Sequence, residues 1–333
     1  RYLQNRKSVS GIQWENLVPD ASHTWLTEGL RPEFATFAPL VSRSGSKESH
    51  KAPSTIFRAV SPGVNTARDD IAYSFSQASV LLRTKTFLDS FSAEVSRWIR
   101  AGSPKSEAEI DKFVDTSKIK WSRDLKRRLK MGKAVDHDPG LVRQSLYRPF
   151  TKSWLYYSEP VVDVPGGARD FIASERSDDR NLLMVFSDRG HRAGFGILAT
   201  DILPDLHLAA TSDLFQCIPL YTYSRERDEW SDNISDWGLS KFRSQYDASV
   251  EAVDIFNYVY ALLHHKEYRA TYAKNLRREL PRIPLIATRE AFEELRDAGA
   301  RLVRLHVDYE TGERHPLIWV ENKSVPFSVA VRM

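Results

Sequence analysis

Between Tyr147 and Tyr223 the chain is cut into short runs of β-forming residues, WLYY, LLMVF, FGILAT and CIPLYTY, set apart by Pro, Gly and Asp. The turns joining them read as too short to hold crossover helices, which a parallel doubly wound sheet needs. The spacing therefore predicts antiparallel pairing. Elsewhere the apolar period is helical. Val80, Leu81, Phe87, Leu88, Phe91, Val95 and Ile99 place one stripe on a long helix, and Ser106 with Glu107 and Glu109 opens another. Beyond Ser235 three groups recur at helical spacing: Trp237, Leu239 and Phe242; Val253, Phe256, Tyr260 and Leu263; Tyr268, Tyr272 and Leu276. Pro281 and Pro284 stop that run, and a last helix carries Phe292, Leu295, Leu302 and Leu305. A strand over Ile56–Val60, a half-buried strand at IAYSF and a terminal hairpin around Thr311 and Gly312 complete the reading.

These elements predict an α+β fold, a mixed and largely antiparallel sheet domain with a helical C-terminal region. Three parts follow: a connector over 1–55, an α+β core over 56–234, and the helical region with its hairpin over 235–333. The connector spaces Trp14, Trp25 and Phe34 among prolines and ends in SRSGSKESHK, which has no apolar period and reads as a boundary loop. With 41% hydrophobic and 28% charged residues over 333, the chain can bury a sizeable core and is not a disordered polymer. No apolar run approaches the roughly 20 residues of a membrane helix, so no membrane role is expected. The single Cys217 cannot form an internal disulfide, which points to a reducing, cytoplasmic setting. With an opening Arg1 and no apolar signal core, the sequence is expected to be a piece of something longer.

Charge is modestly positive, 48 Lys and Arg against 44 Asp and Glu, but it is unevenly placed. From Lys118 to Lys133 the string KIKWSRDLKRRLKMGK carries eight basic residues, Lys118, Lys120, Arg123, Lys126, Arg127, Arg128, Lys130 and Lys133, against Asp124 alone. A solvated helix face is the ordinary meaning of such a run, yet those faces usually mix signs.

Other chemistry is sparse. Gly190, Gly194 and Gly196 follow a strand, but a phosphate loop needs a helix N-terminus next, and ILATDILPD reads as another strand. The better reading is a β-hairpin whose tip presents Arg189, His191 and Arg192. Asp205, Glu321 and Lys323 are residue types of a metal-dependent nuclease, 116 residues apart between Asp205 and Glu321. His264 and His265 point about 100° apart on a helix and cannot share a metal through one face. The loop Asn65, Thr66, Ala67, Arg68 has side chains that bond base edges, or that simply form a turn with Arg68 paired to Asp69 or Asp70.

Six strings, in order and spacing, carry a resemblance: GVNTARDDIAYSF, WSRDLKRRLKMGK, SLYRPFTKSWLYY, TDILPDLH, DNISDWGLSKFR and DIFNYVYALLHHKEYRATYAKNLRRELPRIPL. From about Trp14 to about Tyr309 the chain resembles the C-terminal specificity region of Type ISP restriction-modification enzymes, single polypeptides with nuclease, helicase, adenine methyltransferase and target-recognition modules. The resemblance implies that 56–234 is a target-recognition core whose partners are duplex DNA and the methyltransferase domain of the same polypeptide. It implies S-adenosylmethionine, ATP and Mg2+ for the parent, with no cofactor and no catalytic residue in this segment. It further implies that the tip SDRGHRAGFG and the loop from Ser174 to Arg180 form a variable specificity surface. On that basis Lys118, Lys120, Arg123, Lys126, Arg127, Lys130, Lys133, Arg148 and Lys152 are expected on the DNA backbone. Asn65, Thr66, Arg68, Arg189, His191 and Arg192 are expected at bases or grooves. A nuclease built on Asp205, Glu321 and Lys323, and a protein-interaction module docking through Phe256 to Leu280, are the alternatives.

Overall fold

The computed structural model describes residues 27–41, 54–103, 107–163, 170–174, 180–209 and 213–312, with a few isolated positions outside them. A 3-10 turn at Pro32–Thr36 leads into strand β1 (Ala38–Pro39), followed by β2 (Ser61–Pro62), helix α1 (Asp69–Ala72) and β3 (Tyr73–Ser74). Helices α2 (Gln77–Arg100), α3 (Glu107–Phe113) and α4 (Arg123–Met131) precede the strand pair β4 (Val142–Arg148) and β5 (Thr151–Tyr156). Then come β6 (Leu183–Ser187), β7 (Ile197–Thr200), β8 (Leu203–Pro204), β9 (Phe215–Pro219), β10 (Tyr221–Ser224) and β11 (Glu229–Asp232). The C-terminal region holds α5 (Asp236–Gln245), α6 (Ala252–His264), α7 (Lys266–Thr271), α8 (Ala273–Arg278), β12 (Arg282–Ile283) and α9 (Arg289–Val307).

Two four-stranded sheets organise the chain, in orders β2-β9-β6-β7 and β3-β5-β4-β8. All described strand pairs are antiparallel except β4 with β8, which makes the second sheet mixed. The expected α+β architecture with a helical C-terminal region is what the chain adopts. Strand β6 shows why its run reads as continuously apolar: it is buried on both faces. Met184 and Phe186 enter a core shared with α5, α6 and α9, while Leu183 and Val185 enter a second core with α2, α4 and the mixed sheet. Phe34, Leu40 and Val41 join the first core, and β1 pairs with β12, so this early segment is built into the C-terminal half.

Helix α6 is apolar on nearly every side because the β6–β9 sheet and α9 cover it. Its contact with α9 is close enough that a Cβ at Gly299 would stand 1.9 Å from the Asn257 carbonyl oxygen. Helix α2 buries the expected stripe at Val80, Phe87, Leu88, Phe91 and Val95, but Ile99 at its end is 54% exposed.

Three local expectations change. The segment IAYSF is a strand only at Tyr73–Ser74; its first part is the short helix α1, with Asp69 and Asp70 in the first turn where the helix dipole favours them. Ile56–Val60 is not a continuous strand: Phe57 bridges to Ile234, the Ile56 and Phe57 amides donate to the Pro39 and Leu40 carbonyls, and the strand proper is displaced to Ser61. At Thr311 and Gly312 the amides donate to the Asp308 carbonyl and close the end of α9; strands of a terminal hairpin would lie outside the described residues. The boundary loop SRSGSKESHK lies outside them too, as does 175–179 of the expected variable loop. Among the described residues no helix is long and apolar enough to cross a membrane.

Candidate nucleic-acid interface

The glycine cluster forms the connection of an antiparallel hairpin, with β6 and β7 in register from Leu183 opposite Thr200 to Phe186 opposite Ile197. A strand and not a helix follows the glycines, so the geometry of a phosphate loop is absent here. Gly190 and Gly194 sit at φ +82° and +97°, a left-handed region that side chains other than glycine enter at a cost. The loop backbone is held by two buried carboxylates. Asp213 accepts from the Arg192 amide at 2.9 Å and the Ala193 amide at 3.0 Å. Asp188 accepts from the Arg189 amide at 2.7 Å and from Gln216 Nε2 at 2.9 Å. With the backbone fixed from below, Arg189 and Arg192 are exposed, and neither guanidinium has an ion pair among the described residues. His191 differs. Only 6% exposed, it packs beside Phe195, and burial lowers its pKa, so it supports the tip as a neutral ring.

Across from the tip lie α7 and α8. His191, Arg192, Gly194 and Phe195 on one side and Arg269, Lys274 and Arg277 on the other line a cleft of about 390 Å³, with no acid among the described residues that line it. Arg269 donates to the Phe195 carbonyl, and Gly190 donates to the Arg277 carbonyl at 2.7 Å. Lys274 and Arg277 are exposed, with no ion pair among the described residues. Sequence reasoning missed these three cations. Lys274 and Arg277 stand at i and i+3 within α8, a local signal the sequence offered, whereas Arg269 lies on α7 before the break at Tyr272 and joins them only through the fold.

The basic run is helical only over α4, capped by Ser122 Oγ accepting from the Leu125 amide at 3.3 Å and closed by Gly132 at φ +66°. Leu125 and Leu129 face inward. Acids from other elements, unseen in the local string, neutralise part of its charge. Asp111 takes Lys126 at 2.7 Å, Glu159 takes Arg128, and Glu94 lies 3.7 Å from Lys118. Asp124 binds both Arg127 at 2.6 Å and Arg128 at 2.8 Å. Burial opposes its charge, yet hydrogen bonds from the two arginines hold its pKa below the usual carboxylate range. Lys120, Arg123, Lys130 and Lys133 are left exposed without an ion pair among the described residues.

Of the loop from Asn65 to Arg68, two side chains face inward. Thr66 is 1% exposed and donates to Asp69. Arg68 is 2% exposed; it donates to the carbonyls of Pro160 at 3.1 Å and Val161 at 2.8 Å and to Ser122 Oγ at 3.1 Å, above the Phe87 ring. Its charged neighbour is Asp163 at 3.6 Å, not Asp69 or Asp70. Burial lowers its pKa and Asp163 opposes that shift. This guanidinium staples the loop to the N-terminus of α4 and has no path to a base edge in this conformation. Asn65 remains half-buried, its Oδ1 3.3 Å from the Ala67 amide.

Arg148 and Lys152 are likewise engaged. Arg148 reaches Asp205 at 2.9 Å and Asp69 at 3.7 Å over the Tyr147 ring, and Lys152 pairs with Glu310 at 2.8 Å. Burial and then Asp69 push the Asp205 carboxyl up to about 6, against the Arg148 guanidinium and the His207 amide. A guanidinium thus occupies the position beside Asp205 where a nuclease would need a metal, and Glu321 and Lys323 lie outside the described residues. Among the described residues no group of three or more His, Cys, Asp or Glu side chains is placed to hold a metal ion. His264 packs against Tyr260 and His306; burial, then His306, lowers its pKa to about 4.

No curated protein sequence matches the chain. Three solved structures are similar to it. A nuclease-deletion mutant of the Type ISP restriction-modification enzyme LlaGI, in complex with a DNA substrate mimic, is 27% identical with a TM-score of 0.77, over 94% of this chain and 27% of that one. DrdV, solved as a DNA complex, is 28% identical with a TM-score of 0.81, over 95% and 30%. The ATP-dependent Type ISP enzyme LlaBIII bound to DNA is 25% identical with a TM-score of 0.75, over 93% and 19%. The chain thus spans less than a third of the length of these relatives. The profile of the Type ISP C-terminal specificity domain matches residues 55–330, and the chain belongs to that family.

Proposed function

We propose that the chain is the part of a Type ISP restriction-modification enzyme that recognises a duplex DNA target. The carrying observation is the cleft between the recognition loop and α7–α8, where Arg192, Arg269, Lys274 and Arg277 converge while buried carboxylates fix the loop beneath. Cations in that arrangement neutralise phosphates and release counterions, which sets register; Arg189 and Arg192 at the tip can bond guanine O6 and N7 together, which reads sequence. Lys120, Arg123, Lys130 and Lys133 on and beside α4 supply a second stretch of backbone contacts, and Asn65 is the member of its loop still open to DNA. The relatives solved with DNA support the same reading.

In the parent, recognition would present one adenine to the methyltransferase domain, which flips it and methylates N6 using S-adenosylmethionine, and would license ATP-driven translocation and Mg2+-dependent cleavage elsewhere in the polypeptide. This segment contributes binding and orientation to those steps. The test is duplex binding by the isolated chain across a salt series: about six phosphate contacts give a log-log slope near minus five. A salt-independent signal, or no binding at low salt, would overturn the proposal.

A further inference from the structure

At the far end of the β6–β7 hairpin from the recognition loop lies a second cleft, of about 370 Å³, which the DNA-reading surface does not use. Its floor is the face of the mixed sheet, where Gln144 stands directly opposite Trp154 in register, with Ser74 on the other side of Trp154. Phe171, 2% exposed, forms a wall, and the buried Arg143 and the ion pair of Arg180 with Asp201 at 2.6 Å complete the lining. Asn181 also lines the cleft, but its amide is consumed by the Phe171 and Tyr221 carbonyls at 3.1 and 2.7 Å and the Tyr221 amide at 3.3 Å, so it holds the wall. Gln144 and Trp154 are different: both are half-buried, and neither the Gln144 amide nor the Trp154 indole N–H has a hydrogen-bond partner among the described residues.

An open amide beside an indole, with a phenyl wall, is the chemistry that receives a planar heterocycle. Aromatic rings stack on its face, and a Gln side chain offers a donor and an acceptor side by side to its edge. The volume lies in the range of small-molecule sites and exceeds what one base needs. We propose that this cleft takes a single unstacked nucleobase, stacked on Trp154 and edge-bonded by Gln144. Its source is either a base extruded from DNA bound at the recognition loop or a free nucleotide. For the first, the separation of cleft and loop sets the scale. From Ser187 to Leu183 strand β6 advances about 14 Å, roughly four base-pair steps of duplex.

The test has two arms, with Trp154→Ala and Gln144→Ala as variants and thermal melting as the check on folding. In the first, the mononucleotide of 2-aminopurine is titrated into the isolated chain and its fluorescence followed. In the second, 2-aminopurine is moved through the recognition site of a duplex bound by the parent enzyme, outside the adenine that is methylated. Quenching in the first arm identifies a free nucleotide as ligand; a change at one duplex position only, in the second arm, identifies an extruded base. In either case Trp154→Ala weakens the response at least about five-fold, the lower end of what one base–aromatic stack contributes, and Gln144→Ala weakens it independently. Absence of any response in both arms, or responses unchanged in both folded variants, would overturn the proposal. Salt-dependent duplex binding persisting in that case would show that DNA recognition stands without this site.

Discussion

The Gly190 amide donates a 2.7 Å hydrogen bond to the Arg277 carbonyl, so the loop carrying Arg189 and Arg192 is tied by its backbone to the helix whose side chains line the opposite wall of the cleft. The two cationic walls of the cleft are therefore joined through the backbone. A shift of α8 moves the loop with it.

Replacing Lys274 or Arg277 by Gln in the parent should weaken binding similarly for all sequences, each reducing the salt slope by about one if each contacts one phosphate. Both side chains are exposed, so stability is spared. Filter binding at four or more salt concentrations reads the slope, and an unchanged slope for both variants removes the cleft from the interface.

Asp213→Ala removes the charged acceptor of the Arg192 and Ala193 amides, a kind of hydrogen bond that contributes about 1.5–3 kcal/mol. The loop should loosen, and discrimination between cognate and single-mismatch duplexes should fall while the salt slope holds. Competition binding with both duplexes checks this. Full discrimination in the folded variant would mean that the loop does not read bases.

Arg68→Ala removes a guanidinium that bridges two carbonyls and a hydroxyl beside Asp163. Breaking a buried pair of this kind costs about 3–5 kcal/mol. Chemical denaturation should show a loss of that size. A stable variant with selectively impaired DNA binding would return Arg68 to the reading surface.

The Asp205 carboxyl has a folded pKa of about 6, above its unfolded value. The folded state holds the proton longer, so this group's stabilising contribution is full below the unfolded pKa and is lost as pH rises through about 6. The difference corresponds to about 3 kcal/mol between pH 3.5 and 7. Relative to Asp205→Asn, the wild-type chain should lose stability across that window in denaturant melts. Parallel profiles for the two proteins would contradict the assignment.

What the sequence revealed follows from how local each cause is. The run LLMVF announces a strand because burial on both faces leaves it no polar position, and the stripe on α2 announces its helix by period alone. The five residues IAYSF fit strand alternation yet begin a helix, because so short a run cannot separate the two periods. Charge was less legible still. Whether Arg148, Lys152, Lys126 or Arg68 is free depends on Asp205, Glu310, Asp111 and Asp163, whose proximity exists only in the folded chain. Arg189 and Arg192 could be placed at a hairpin tip from the glycines, but their counterparts Lys274 and Arg277 could be placed opposite only once α7 and α8 were seen to fold back on that loop.

The most direct measurement is the genome-wide pattern of adenine methylation in a host expressing the parent enzyme with Arg189→Ala or Arg192→Ala. One good bidentate contact to guanine is worth about 1–3 kcal/mol of discrimination. At least one variant should relax the methylated motif at a single position, or abolish methylation, while nonspecific DNA binding persists. An unchanged motif and extent of methylation in both variants would contradict this expectation.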